Sequence, residues 1–166
     1  IYFVADSGKQ KENGRVTFKF SVKCAFQSRA FVRESTKQEH SNYVLIHEQD
    51  HYDIALTYAS MLQNVLSTGD YSGDKYSEEI DKRYDDLMKT YYKTQEDYDH
   101  EVNPDGTEDK PKQYLWDMRI RKCLQNNTTQ YFSSPEIAVQ DVRAPWQVVK
   151  RLPGGKVLPV VVRTRP

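Results

Sequence analysis

Apolar and polar positions alternate from Val16 to Lys23. Val16, Phe18, Phe20 and Val22 fall on one side, and Thr17, Lys19, Ser21 and Lys23 on the other. A period of two predicts a half-buried strand over 15–26. The short apolar run at 1–5, set apart from it by the turn-forming Lys11-Glu12-Asn13-Gly14, predicts its antiparallel partner. Residues 33–40 are polar and read as a loop. From Ser41 the period changes, because Val44, His47, His51, Ile54, Ala55, Tyr58, Leu62 and Val65 follow helical spacing. Ser41 can cap the start of that helix and Gly69 sits just past its end. A second helical stripe, Ile80, Tyr84, Leu87, Met88, Tyr91, Gln95 and Tyr98, runs to about Glu101. After a turn-rich break, Leu115, Trp116, Ile120 and Leu124 space a third. Pro153-Gly154-Gly155 between two valine-rich runs predicts a C-terminal hairpin. Strands over 1–32, helices over 41–126 and strands over 135–166 predict a single α+β domain spanning 1–166.

The first helix carries the candidate chemistry. His47 and His51 stand four residues apart, so they lie one turn above each other on one face and can present two imidazole nitrogens to one metal ion. Glu48 sits about 100 degrees round the helix from His47. That suits a general base acting on water activated by the metal, which is the arithmetic of an H-E-x-x-H metalloprotease helix. Zinc in such a site takes three protein ligands and keeps one position open for water, whose pKa it lowers. A third histidine six residues past His51 is absent, because position 57 is Thr57. The third ligand is therefore expected from the end of the second helix, where Asp99, His100 and Glu101 follow one another. His40, in the polar loop before the first helix, is a further candidate. The competing reading of the motif is two hydrogen-bonded interior histidines beside a solvated Glu48. For the Asp99–Glu101 run it is an exposed, charged helix end.

The stretch from His47 to Ala59, His-Glu-Gln-Asp-His-Tyr-Asp-Ile-Ala-Leu-Thr-Tyr-Ala, resembles the HEQxHFDIxxxYA signature of the bacterial domain-of-unknown-function family 922. Tyr98-Asp99-His100-Glu101-Val102 is similar to that family's YDxET segment. Gln113 and Trp116 match a Gln and a Trp on its next helix. The resemblance extends over about residues 15–125, with Phe31 where the family often carries Trp. It implies a zincin-like fold, a secreted or periplasmic envelope protein and a zinc-dependent protease acting on peptide or protein. One departure counts against activity. The family's downstream histidine falls near position 104, and this chain has Pro104 there, with Val102 in place of Thr. His100, Asp99 or Glu101 would have to substitute. Otherwise the domain is a catalytically inactive envelope or binding module that keeps the fold. Tyr98, beside the candidate ligands, would in the active reading donate a hydrogen bond to the oxyanion.

Composition narrows the partners. Lys plus Arg equals Asp plus Glu at 24 each, which gives no electrostatic argument for nucleic acid or an anionic membrane. No apolar run reaches the roughly 18 residues that a membrane span needs. The chain opens on Ile1 rather than Met, so an export signal upstream is compatible with it. Cys24 and Cys123 could form one disulfide in an exported protein or remain two buried thiols. Glu101, Asn103, Asp105 and Asp109 space oxygens as a calcium loop does, but Lys112 stands where the bidentate glutamate belongs. The tyrosines around the second helix read as a core-to-surface stripe.

Overall fold

Three helices carry the structure, a computed structural model that describes residues 1–6, 8–11, 13–25, 38–133, 146–148 and 161–163. By its internal contacts the chain falls into two units, Ile1–Ser134 and Pro135–Pro166. The fold is α+β. In the first unit β1 (Tyr2–Ala5), β2 (Lys9–Gln10), β3 (Arg15–Thr17) and β4 (Phe20–Lys23) precede α1 (Gln38–Ser67). Then come β5 (Tyr71–Ser72), α2 (Tyr76–Val102), a single 3-10 turn (Pro104–Gly106) and α3 (Lys110–Asn126). The second unit pairs β6 (Trp146–Val148) with β7 (Val161–Arg163) antiparallel, Gln147 opposite Val162. The Pro153–Gly155 turn expected between those strands lies outside the described residues, as does Phe31.

The predicted partner of the alternating segment is in place, since β1 pairs antiparallel with β4, Phe3 opposite Val22 and Ala5 opposite Phe20. The single strand expected over 15–26 is instead two. The ladder breaks at Phe18-Lys19, and β3 turns to a second small sheet between β2 and β5, with Val16 opposite Gln10 and Tyr71. The period-two pattern survives the break: Phe20 is buried, and Phe18 and Val22 pack against the same apolar cluster as Leu62, Leu66, Tyr71 and Ile80. Gln63 covers the open edge of β4. Its Nε2 donates to the Phe20 carbonyl at 2.8 Å and its Oε1 accepts from Val22 N–H at 2.9 Å. A side-chain amide thus takes the place of a neighbouring strand and blunts an edge that would otherwise be free to pair.

α1 starts at Gln38, so Ser41 stands inside its first turns rather than capping it, and His40 belongs to the helix and not to a loop. α3 starts at Lys110, earlier than its apolar stripe. Pro111 occupies the first turn, where a missing N–H costs nothing, and Asp109 caps the end by accepting from Lys112 N–H at 2.9 Å. Between α2 and α3 the chain reverses through two left-handed residues, Asp105 and Gly106. A second cluster joins all three helices: Ile54 and Tyr58 from α1, Tyr98 and Val102 from α2, Trp116, Ile120 and Cys123 from α3, with Phe132. Both cysteines are free, and burial pushes the Cys123 thiol up to about 11. Among the described residues no helix is long and apolar enough to cross a membrane.

Gly69 ends α1 for a reason other than a left-handed backbone. A Cβ there would stand 2.2 Å from the ring of Tyr71, which is fully buried and anchored by its hydroxyl on the Leu66 carbonyl at 2.7 Å. Gly69→Ala should therefore lose about 1–3 kcal/mol of stability by overpacking. In urea denaturation the midpoint falls at unchanged slope; an unshifted midpoint would mean that the Tyr71 ring can move aside.

Candidate metal centre

The helical spacing of His47 and His51 puts both rings on the side of α1 that faces α2. Their Nε2 atoms stand 3.1 Å apart. Asp99 reaches them from the last turns of α2, with Oδ1 at 3.2 Å from His47 Nε2 and 2.9 Å from His51 Nε2. Three potential ligand atoms thus form a nearly equilateral triangle. His47 is held by packing against two tyrosine rings: Tyr98 stacks at 5.0 Å between centroids, 19° from parallel, and Tyr43 at 6.3 Å and 11°. Tyr43 is tied down in turn, its hydroxyl donating to the Val102 carbonyl at 2.7 Å. Burial and the neighbouring His51 hold the His47 imidazole below its ordinary pKa, which keeps it neutral, the form that binds metal. The open side faces water: the Asp99 side chain is 54% exposed, His51 24% and His47 12%.

The triangle fits a tetrahedral ion. Ligand atoms at about 2.0–2.1 Å from zinc lie roughly 3.3 Å from one another, close to all three edges seen here. The donor set, two imidazoles and one carboxylate, is one that zinc takes in catalytic sites. His47 Nδ1, the ring nitrogen outside the triangle, is buried. The nearby Gln113 amide acts on that ring.

Of the three candidates for the third ligand, Asp99 is the one beside the histidines. His100 is exposed, one residue further round the helix. Glu101 faces α3, where its carboxylate accepts from Trp116 Nε1 at 3.0 Å and lies 3.7 Å from Arg119. Pro104 opens the exposed 3-10 turn beyond α2. Glu48 is exposed beside His47, and its charge acts on that ring. The oxyanion role expected of Tyr98 needs correcting. Its hydroxyl is fully buried behind His47, 3.3 Å from the His47 carbonyl and from Asp50 Oδ2, and it accepts from Gln113 Nε2 at 2.7 Å. Burial and the Asp50 charge drive its pKa far up, and its full burial makes it a wall of the site rather than a donor to substrate.

Against other proteins, one family model matches: that described as "Bacterial protein of unknown function (DUF922)", over residues 12–106. The chain belongs to this family. No curated protein and no solved structure matches the chain. The matched stretch holds His47, Glu48, His51 and Asp99 and ends before α3, so Gln113 and Trp116 lie outside it.

Further residues that the motif does not mark complete the surroundings. Asp50 is buried and accepts from Gln113 Nε2 at 2.5 Å. Gln95 spans α2 to α1, its Nε2 donating to the His51 carbonyl at 3.0 Å and its Oε1 lying 2.5 Å from His51 Nδ1. The visible signals were Gln95 within the otherwise apolar stripe of the second helix, and Asp50 one turn before Ile54 on the core face of the first.

Burial, with Asp117 and Asp53 adding negative charge, raises the Asp50 pKa well above its usual value. A group raised in this way contributes stability that is full below its unfolded value, about 3.9, and is lost as pH rises through the folded one. The stability difference between Asp50→Asn and wild type, from urea titrations at a series of pH values, should thus move in favour of the variant as pH climbs from about 4. A difference flat with pH would show that Asp50 stays ionised.

Proposed function

We propose that this DUF922 protein is a metal-dependent hydrolase, a peptidase of zincin-like design, working in the cell envelope or outside the cell. The observation that carries the reading is the triangle of His47 Nε2, His51 Nε2 and Asp99 Oδ1, with edges of 2.9–3.2 Å, open to water on one side. Residues His47, His51 and Asp99 would hold zinc. When bound, zinc would supply Lewis acidity and a water acidic enough to ionise near neutral pH. Glu48, exposed at the rim, would take the proton from the attacking water and pass it to the leaving amine, the usual work of a carboxylate in this position. Tyr43 and Tyr98 hold the His47 ring in one orientation, so that its nitrogen is already placed when substrate arrives. The compartment follows from the family resemblance alone.

A second reading keeps the fold without the hydrolysis. The 2.9 Å contact from Asp99 to His51 Nε2 is also that of an ordinary ion pair with a protonated imidazole, which needs no metal. Metal content separates the two. Protein dialysed against a weak chelator should retain about one zinc per chain in the hydrolase reading. Glu48→Gln should keep that zinc while losing about 10²–10⁴-fold in peptide hydrolysis. Retention of no metal by wild type leaves the binding-module reading standing; hydrolysis undiminished in Glu48→Gln removes Glu48 as the base.

A further inference from the structure

A glutamine of α2 lies against His51. Gln95 presents its amide to one residue at two points. One end lies 3.0 Å from the His51 carbonyl oxygen and the other 2.5 Å from His51 Nδ1. A backbone carbonyl can only accept a hydrogen bond. The amide end facing it must therefore be the NH₂, which removes the ambiguity between the two ends of a glutamine amide. The opposite end is then the carbonyl oxygen, also an acceptor, and it faces Nδ1. That contact is favourable only if Nδ1 carries the proton. In the neutral ring the proton is thereby assigned, and Nε2 is left with its lone pair. That bare nitrogen is the atom 3.1 Å from His47 Nε2 and 2.9 Å from Asp99 Oδ1.

We infer that Gln95 is a positioning residue, which holds the neutral His51 ring as its Nδ1–H tautomer and so turns an Nε2 lone pair towards His47 and Asp99. Its use rests on the metal reading given above; the tautomer itself does not. Asp99 alone would favour the opposite form, because a carboxylate 2.9 Å from Nε2 is best satisfied by an N–H there. Gln95 opposes that preference from the other side of the ring. It also acts across a helix boundary: α2 supplies both the carboxylate and, one turn earlier, the amide that readies the imidazole to share an ion with it. The arrangement leaves lone pairs on His51 and Asp99 facing each other, an unfavourable contact that a cation relieves.

The test is a long-range ¹H–¹⁵N correlation of the histidine rings in metal-free, ¹⁵N-labelled protein, at a pH where His51 is neutral. Wild type should show a protonated Nδ1 and an unprotonated Nε2. Gln95→Leu should move the proton to Nε2, and Gln95→Glu, whose carboxylate still accepts from Nδ1 although it gives up the bond to the His51 carbonyl, should restore the first pattern. Zinc affinity, read by competition with a chromophoric chelator, should fall about 10–100-fold in Gln95→Leu and recover in Gln95→Glu. A residue that merely packed the helices would lower the melting temperature and leave the tautomer alone. A neutral wild-type ring protonated at Nε2 overturns the inference outright, even if the leucine variant fails to fold. Failure of wild type to take up zinc, with the Nδ1–H form present, would sink the hydrolase reading and leave the positioning role of Gln95 intact.

Discussion

One buried polar knot sets the register of the three helices. Asp50 comes from α1, Tyr98 from α2 and Gln113 from α3, and their side chains bond to one another at 2.5–3.3 Å within an apolar surround of Ile54, Val102 and Trp116. A buried carboxyl, hydroxyl or amide left without partners costs a few kcal/mol, about 1–3 for each neutral group. Sliding any one helix by a turn would break two of these three contacts. Apolar packing alone tolerates such slips far better, since it is not directional. The knot is what makes one alignment of α1 against α2 stand apart from its neighbours.

That alignment decides the chemistry above it. With Tyr98 fixed opposite Asp50, the next residue, Asp99, comes to lie against His51, and Gln95, about one turn back, meets the other side of the same ring. Tyr98 itself stacks on the His47 ring, as does Tyr43. The site is therefore asymmetric by construction. His47 is locked by aromatic faces and has one buried nitrogen outside the triangle, whereas His51 is locked by hydrogen bonds and is more exposed. Both devices serve the same end, which is to spend the orienting entropy during folding rather than on binding.

Much of this could be read along the chain, and the reasons differ from residue to residue. The His47–His51 pair was legible because helical geometry is local: four residues make about one turn in any helix. The inward face of Phe18, Phe20 and Val22 was legible because alternation needs no knowledge of the partner. The break at Phe18-Lys19 was not, since hydrogen-bond partners of a strand are chosen by segments distant in the chain, here β1 on one side and β2 with β5 on the other. The start of α1 is not legible, because Ser41 has the chemistry of a cap and only the backbone course shows that the helix has already begun at Gln38. The depth of Tyr98 is not legible either, because burial is a property of the packed helices and not of the residues beside it in the chain.

The sequence by itself determined the three amphipathic helices, the antiparallel pairing of the first residues with the fourth strand, and two imidazoles on one helical face with a carboxylate after the first. Each of these follows from periods of about 2 or 3.6 residues, which act within a few positions. Only the tertiary structure decided that Asp99, rather than His100 or Glu101, meets that pair, that Glu101 belongs to Trp116, and that Gln95 and Gln113 lie behind the rings. Adjacent residues on a helix point about 100 degrees apart. Which of three consecutive side chains faces another helix is therefore a matter of rotation about the axis, and that rotation is set by what the whole core can bury with its polar groups satisfied.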